Sequence, residues 1–473
     1  MKLVITILLV SMTITCAQTN YNNINDLISK GEFRKAETEI NGILIKGGLT
    51  DNERLDLEFQ NERMDRIRKD FRKTDEDVLK YVKKYYPEAG DEDLKNWEED
   101  GTLEFKVIDG KKYYFNRAPA NLFRVNKEAK KRKIEVDGNR KSKLDRFIED
   151  YIPKVIEEAG TSGETVVKPQ KMKLSYKLVV DADAVPEGEE IRCWLPYPRE
   201  SHSRQQNIKL VSVNSDDYII APSDRLQRTI YLEKPAVKGE PTVFSFELEY
   251  TAYNERHNLY KANPAEYKMD SDIYREFTKE REPHIVFTDR LKNLSAGIVS
   301  LDDKPIEKAK KIFRWIHDNI PWAGAREYST ISNIPDYCIS NGWGDCGIKA
   351  LTFITLCRYN GIPAKWQSGW MLHPGSINLH DWAEIYIENS GWVPVDPDFN
   401  FIDSDNDDIK WFYFGGIDAY HFIVNDDYSR PLYPAKIYPR SETVDFQRGE
   451  VEWRGGNLYF DKWDYHMKVD YLD

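Results

Sequence analysis

A helix that is apolar on nearly every side must be enclosed by the rest of its chain, and the stretch Cys346 to Arg358 describes one. Ile348, Ala350, Leu351, Phe353, Ile354, Leu356 and Cys357 leave it no continuous polar face. Its start is set by Asp345, a good N-cap, and its end by Asn360-Gly361 with Pro363 just beyond. Cys346 therefore stands in the first helical turn, where unpaired N–H groups and the macrodipole favour an anion. A thiol attacks an amide only as thiolate, so a reactive cysteine needs something that lowers its pKa from about 8.5, such as a helix N-terminus or an imidazolium. The position of Cys346 supplies the first.

The second is supplied downstream. His380 to Glu388 alternates as a strand, with Ala383, Ile385 and Ile387 on one face and His380, Trp382, Glu384 and Tyr386 on the other. Asn389-Ser390-Gly391 reads as a turn and Trp392 to Asp396 as the returning strand. In that order Asp396 would orient the imidazole of His380, and His380 would deprotonate Cys346 and later protonate a leaving amine. A hairpin pairing Glu388 with Trp392 sets Asp396 opposite Glu384, about 13 Å along the strand from His380. A shifted register or a bulge is needed to close that gap. Cys193 and Cys357, among core-like neighbours, read as structural cysteines.

These residues resemble the transglutaminase-like superfamily, the circularly permuted relatives of papain that include transglutaminases, peptide N-glycanases and many bacterial thiol hydrolases. The likeness runs from about Asp302 to Phe399. It covers the helix Pro305 to Asn319, the Gly-x-Cys helix, the run Arg358 to Ala364, the His-x-Trp-x-Glu strand and the Gly-Trp-x-x-x-Asp-Pro strand. The resemblance, to the bacterial exported type, implies Cys346 as nucleophile, His380 as base and Asp396 as orienter. It also implies an upstream donor to the oxyanion, for which Trp322 is the candidate beside the backbone N–H of Cys346. Trp343, Trp366, Trp370 and Trp382 flank the reactive residues; Trp343, Trp370 and Trp382 are candidates for a substrate groove, and core packing is the expectation for Trp366.

At 473 residues the chain exceeds one ordinary domain, and a net charge of −12 speaks against general affinity for nucleic acid or anionic membrane. Lys2 followed by the apolar run Leu3 to Val10, continuing through Met12 and Ile14, reads as an export signal too short to span a bilayer. Cys16 at its end is either the lipidated residue of a bacterial lipoprotein or part of an ordinary cleavage site before Gln18. The mature protein is accordingly expected outside the cytoplasm: periplasmic, outer-membrane-anchored or secreted. The remaining Cys193, Cys338, Cys346 and Cys357 are expected as free thiols, and without a CxxC pair or zinc-type histidine spacing no metal or cofactor is expected.

The expected fold is α+β, with a transglutaminase-like (permuted papain-like) core preceded by an antiparallel β-sandwich and an N-terminal, mainly helical region. Residues 1–17 form the signal peptide, 18–72 a helical hairpin and 73–125 a helix-helix-hairpin module. Residues 126–168 form a basic linker and helix, 169–254 the sandwich, and 255–473 the catalytic domain with a C-terminal β extension of its sheet. The module at 73–125 has the order of a winged helix, but the acidic balance and export signal favour packing or partner docking over DNA. The acidic run Asp403 to Asp408 imitates half an EF-hand loop. Asp408 takes the place of the loop glycine and Phe414 that of the closing Glu, so a solvated loop is expected.

Together these readings describe an exported thiol enzyme that cleaves or transfers an acyl group from an amide through a thioester, with peptidase or amidase activity favoured. Its expected partner is a peptide or protein substrate, with a glycopeptide as variant, no nucleic acid, and a membrane only through a lipidated Cys16. The alternatives are a protein transglutaminase, a peptide N-glycanase-type deglycosylase and a noncatalytic peptide- or glycan-binding protein.

Overall fold

The structure is a computed structural model that describes residues 23–200, 202–262 and 265–472. The expected signal segment and Cys16 lie outside the described residues. The chain forms two units, Met1–Gly138 and Asn139–Asp473. Among the described residues no helix is long and apolar enough to cross a membrane.

In the first unit, helices Phe33–Lys46 and Asp51–Asp70 form a hairpin. Thr50 and Glu53 close a capping box at the second: Thr50 N–H donates to Glu53 at 2.8 Å and Glu53 N–H to Thr50 Oγ1 at 3.3 Å. Helices Asp75–Val82 and Asp91–Glu99 follow, with a small sheet ordered Phe71–Lys73, Lys111–Phe115, Phe105–Ile108. Ile40, Met64, Val78, Val82, Tyr114 and Leu122 meet in its core. The basic run expected to be a linker is instead helical over Lys127–Asp137, capped by Asn126 and tied down by Ala129 and by Arg132 donating to the Tyr85 carbonyl at 2.9 Å.

The second unit begins with helix Lys143–Ser162, longer than the pattern suggested, which buries Ile152 and Val155 against the sandwich; Asn254 donates to Tyr151 Oη at 3.0 Å. One sandwich sheet is ordered Gly416–Ile417, Thr242–Arg256, Val166–Val180, Trp463–Leu472, with Gln205–Val213 also on Thr242–Arg256. The other is ordered Gly456–Leu458, Glu450–Trp453, Glu190–Pro196, Thr229–Pro235, Tyr218–Ile220. The C-terminal segment therefore divides. His421–Asn425 joins the sheet of Ala364–His373, but Glu450–Trp453 and Trp463–Leu472 complete the sandwich, covering edges that its sheets present.

The sheet that carries the candidate site is antiparallel, ordered Gly391–Val395, Ser376–Ile387, Ala364–His373, His421–Asn425. Helix Cys346–Tyr359 is buried almost throughout and packs on its two central strands, so its first turn is held rigidly. The hairpin register settles the distance problem. Ile387 pairs with Gly391 and Ala383 with Val395, so the three-residue turn sits one position earlier in the chain than Glu388 with Trp392 would place it. Asn389 and Gly391, at φ of 73° and 85°, make that turn, with Ser390 N–H donating to the Ile387 carbonyl at 2.9 Å. Asp396 thus comes level with Trp382, two residues from His380, about 7 Å along the strand and within side-chain reach.

Candidate active site

Asp345 caps helix Cys346–Tyr359, accepting from Ile348 N–H at 3.2 Å, and is itself held by Tyr328 Oη–H at 2.7 Å. Cys346 follows it, half-buried, while Cys193, Cys338 and Cys357 are buried; all four are free thiols. A ring nitrogen of His380 and a carboxylate oxygen of Asp398 lie within 4.8 Å of Cys346 Sγ and of each other. His380 Nε2 is 2.7 Å from Asp396 Oδ2, which leaves Nδ1 as the nitrogen for the thiol. The structure brings the three residues singled out from sequence into one constellation.

Asp396 is completely enclosed and fully hydrogen-bonded. Its Oδ1 accepts from the Asp398 and Phe399 N–H groups at 2.9 and 3.0 Å; its Oδ2 takes His380 and, at 3.1 Å, His421 Nε2. Burial alone would raise this carboxyl, but the two imidazoles hold it well below the usual carboxylate range. His421 continues inward: its Nδ1 is 3.0 Å from Asp418 Oδ1, and Asp418 Oδ2 meets His373 Nε2 at 3.1 Å and Tyr413 Oη at 2.7 Å. Burial would lower the His421 imidazole, but Asp418 and Asp396 push it up to about 9. It is therefore an imidazolium between two carboxylates at neutral pH. Sequence reasoning passed over His421 and His373, because Asp396, which ties His421 to the site, and Asp418, which holds His373, lie 25 and 45 residues from them in the chain.

The other side of the thiol was also missed. Asp381 Oδ2 is 3.4 Å from Cys346 Sγ, and Asp381 Oδ1 accepts from Gln447 Nε2 at 2.7 Å. Gly347 makes that approach possible, since a Cβ there would collide with the Asp381 carboxyl and the Tyr328 hydroxyl. A signal existed: alternation places Asp381 on the strand face it shares with Ala383, Ile385 and Ile387, the one charge in an apolar row. Burial, then Asp381, Asp345 and Asp398, push the Cys346 thiol well above its usual value, while the Asp381 backbone N–H acts in the opposite sense. The helix N-terminus, expected to supply a depressed pKa, is outweighed by burial and by these carboxyls wherever they are ionised. Asp398 is itself paired with Lys349 at 2.8 Å.

The candidate tryptophans fare differently. Trp322 is partly exposed, and its backbone runs beside Gly344, two residues before the nucleophile. Trp343, Trp370 and Trp382 are all buried, which removes them from a substrate groove. Trp343 packs edge-on against Tyr337 at 5.4 Å. Trp370 is stacked between Tyr176 and Phe422 at 4.9 and 5.0 Å, with its N–H on the Gln447 carbonyl at 2.8 Å. Trp382 lies under His380 at 5.8 Å and donates to Gln367 Oε1 at 2.8 Å, so it props the imidazole. Trp366 is likewise buried. The acidic loop is a capped turn: Asn406 caps the short helix Asp407–Lys410, Lys261 meets Asp408 at 2.8 Å, and Lys141 meets Asp403 at 3.1 Å.

The sequence pattern of the transglutaminase-like superfamily core matches residues 292–397, so the fold is α+β with a transglutaminase-like core, and the likeness read from the motifs holds over that segment. A relative from Bacillus subtilis (strain 168), the uncharacterized protein YebA, is 24% identical over 131 residues, 24% of this chain. The chain spans only 18% of the length of that relative. Among solved structures, a candidate cysteine protease from Cytophaga hutchinsonii is similar at 14% identity with a TM-score of 0.43, over 65% of this chain and 92% of that one. The periplasmic domain of TgpA from Pseudomonas aeruginosa is similar at 12% identity with a TM-score of 0.26, over 47% of this chain and 87% of that one.

Proposed function

We propose that the protein is an exported cysteine peptidase or amidase. The observation that carries this reading is His380 held between the Cys346 thiol and a saturated, anionic Asp396. His380 takes the thiol proton as Sγ bonds to the amide carbonyl carbon, and the tetrahedral oxyanion is met by the backbone N–H of Cys346, with Trp322 as a second donor at the rim. Collapse breaks the C–N bond, and His380 gives its proton to the departing amine, leaving a thioester. Water then adds with His380 as base, the C–S bond breaks, and the thiol recovers its proton.

Hydrolysis is favoured over transfer because water is always at hand and no feature of the chain calls for an amine acceptor. Export rests on Lys2, the apolar run after it, and Cys16. Profiling of peptides and amines from an extracellular extract, treated with wild type or with Cys346→Ala, tests the reaction. New peptide termini made by the wild type alone support it; new isopeptide links or released glycans in their place overturn the hydrolase reading. Membrane fractionation of Cys16→Ser tests the anchor, since loss from the membrane fraction requires that lipid was attached there.

A further inference from the structure

Cys346 Sγ faces two groups able to hold a proton, and the triad accounts for only one of them. The other is Asp381, 2% exposed, with Oδ2 at 3.4 Å from the sulfur. Gln447 fixes how this carboxyl is presented: its Nε2 donates to Asp381 Oδ1 at 2.7 Å and to the His380 carbonyl at 2.8 Å, so Oδ2 is left for the sulfur. Among the described residues the hydrogen bonds to the carboxyl come from Gln447 and Cys346, and neither carries positive charge.

Most of the groups facing this position are acids. Asp345 and Cys346 come from the start of the nucleophile helix and Tyr328 from the segment before it. Asp445 and Glu442 come from the C-terminal segment, and His380 precedes Asp381 in its own strand. Arg448, on that C-terminal segment, is committed to Glu327 at 2.6 Å and Glu442 at 2.8 Å. A buried carboxyl with acidic neighbours and no cation keeps its proton. Burial, then Asp445 and Asp345, indeed push Asp381 well above the usual carboxylate range.

We propose that Asp381 is a further catalytic residue, a neutral carboxylic acid whose Oδ2–H donates a hydrogen bond to Cys346 Sγ and so holds the thiolate ready for attack. This rests on Cys346 being the nucleophile. The two groups share one negative charge. An ionised Asp381 would make the sulfur keep its own proton, whereas a protonated Asp381 offers a donor to the anion that His380 creates. The Asp381 backbone N–H favours the thiolate as well, so the residue addresses the sulfur from main chain and side chain together.

The test is the rate at which iodoacetamide alkylates Cys346 in the full-length protein, from acidic to alkaline pH, with mass spectrometry separating Cys346 from Cys357. Loss of a charge-assisted hydrogen bond in Asp381→Ala slows the reaction at neutral pH roughly tenfold and moves its onset up by about one pH unit. Asp381→Asn, whose amide donates to sulfur without titrating, restores most of that loss. Should Asp381→Ala react as fast as wild type or faster, the carboxyl restrains the thiol, and the proposal is overturned. Should Asp381→Ala fail to fold, an Asp381→Asn protein that is folded yet slowed to the rate of Cys357 overturns it equally. A wild type that labels Cys346 no faster than Cys357 instead removes the nucleophile assignment, and the proposal with it.

Discussion

Two buried aspartates flank the reactive thiol, and the fold treats them in opposite ways. Asp396 is met by two imidazoles and two backbone N–H groups, and is held as an anion. Asp381 is met by one amide and one thiol, among other carboxyls, and is pushed toward its neutral form. Their exposures, 0% and 2%, hardly differ. Burial therefore does not choose the protonation state; the charge carried by the donors does. One side of the thiol is built to orient and charge an imidazole, the other to present an uncharged acid.

Removing the groups that the anionic side serves gives the largest expected effects. Cys346→Ala has no turnover on any substrate found, and His380→Ala loses roughly 10²- to 10⁴-fold, measured as initial rates on that substrate. A folded Cys346→Ala protein with wild-type rate would mean that neither aspartate belongs to an active site.

Asp396→Asn is expected to lose about 10²-fold and keep measurable activity, because a thiol needs less help than a serine hydroxyl. Its steady-state rate, set beside that of His380→Ala, shows whether anionic charge or simple positioning matters more.

The comparison is sharpened by His421, the imidazolium that keeps the Asp396 side charged. Its folded pKa, about 9, lies above the ordinary histidine value of 6.5, so its stabilising contribution is complete below pH 6.5 and is lost as the pH rises through about 9. The two values imply about 3 kcal/mol in that window. In His421→Gln the decline in denaturant midpoint across it should flatten, with activity lower by roughly tenfold. An undiminished decline would place the titrating group elsewhere.

The smallest expected effect is on the first unit. A chain starting at Asn139 should alkylate Cys346 within about twofold of full length, because both aspartates and all their partners lie beyond that point. A chain starting at Pro169 should be unstable by several kcal/mol, since it loses helix Lys143–Ser162 with buried Ile152 and Val155. Equal melting temperatures for the two would refute the role given to that helix.

Local chemistry made the nucleophile helix legible, from the Asp345 cap to the Asn360-Gly361 end, and with it the order of Cys346, His380 and Asp396. The sandwich was legible as a region between residues 169 and 254, because turn residues and alternation act over a few positions, and the helix Pro305–Asn319 through the family likeness. Trp343, Trp370 and Trp382 were misplaced because a tryptophan beside a reactive residue in sequence carries no mark of which way it points.

What the sequence determined by itself was the set of short-range elements and the candidates for the reacting groups, each written in a window of a few residues. The tertiary structure alone decided the hairpin register that carries Asp396 to His380, the capture of Trp463–Leu472 by the sandwich, and the meeting of His421, Asp418 and Gln447 with the site. It also decided the charge of each aspartate. These depend on contacts between segments far apart in the chain, and in a low-dielectric interior a protonation state follows from the partners those contacts deliver.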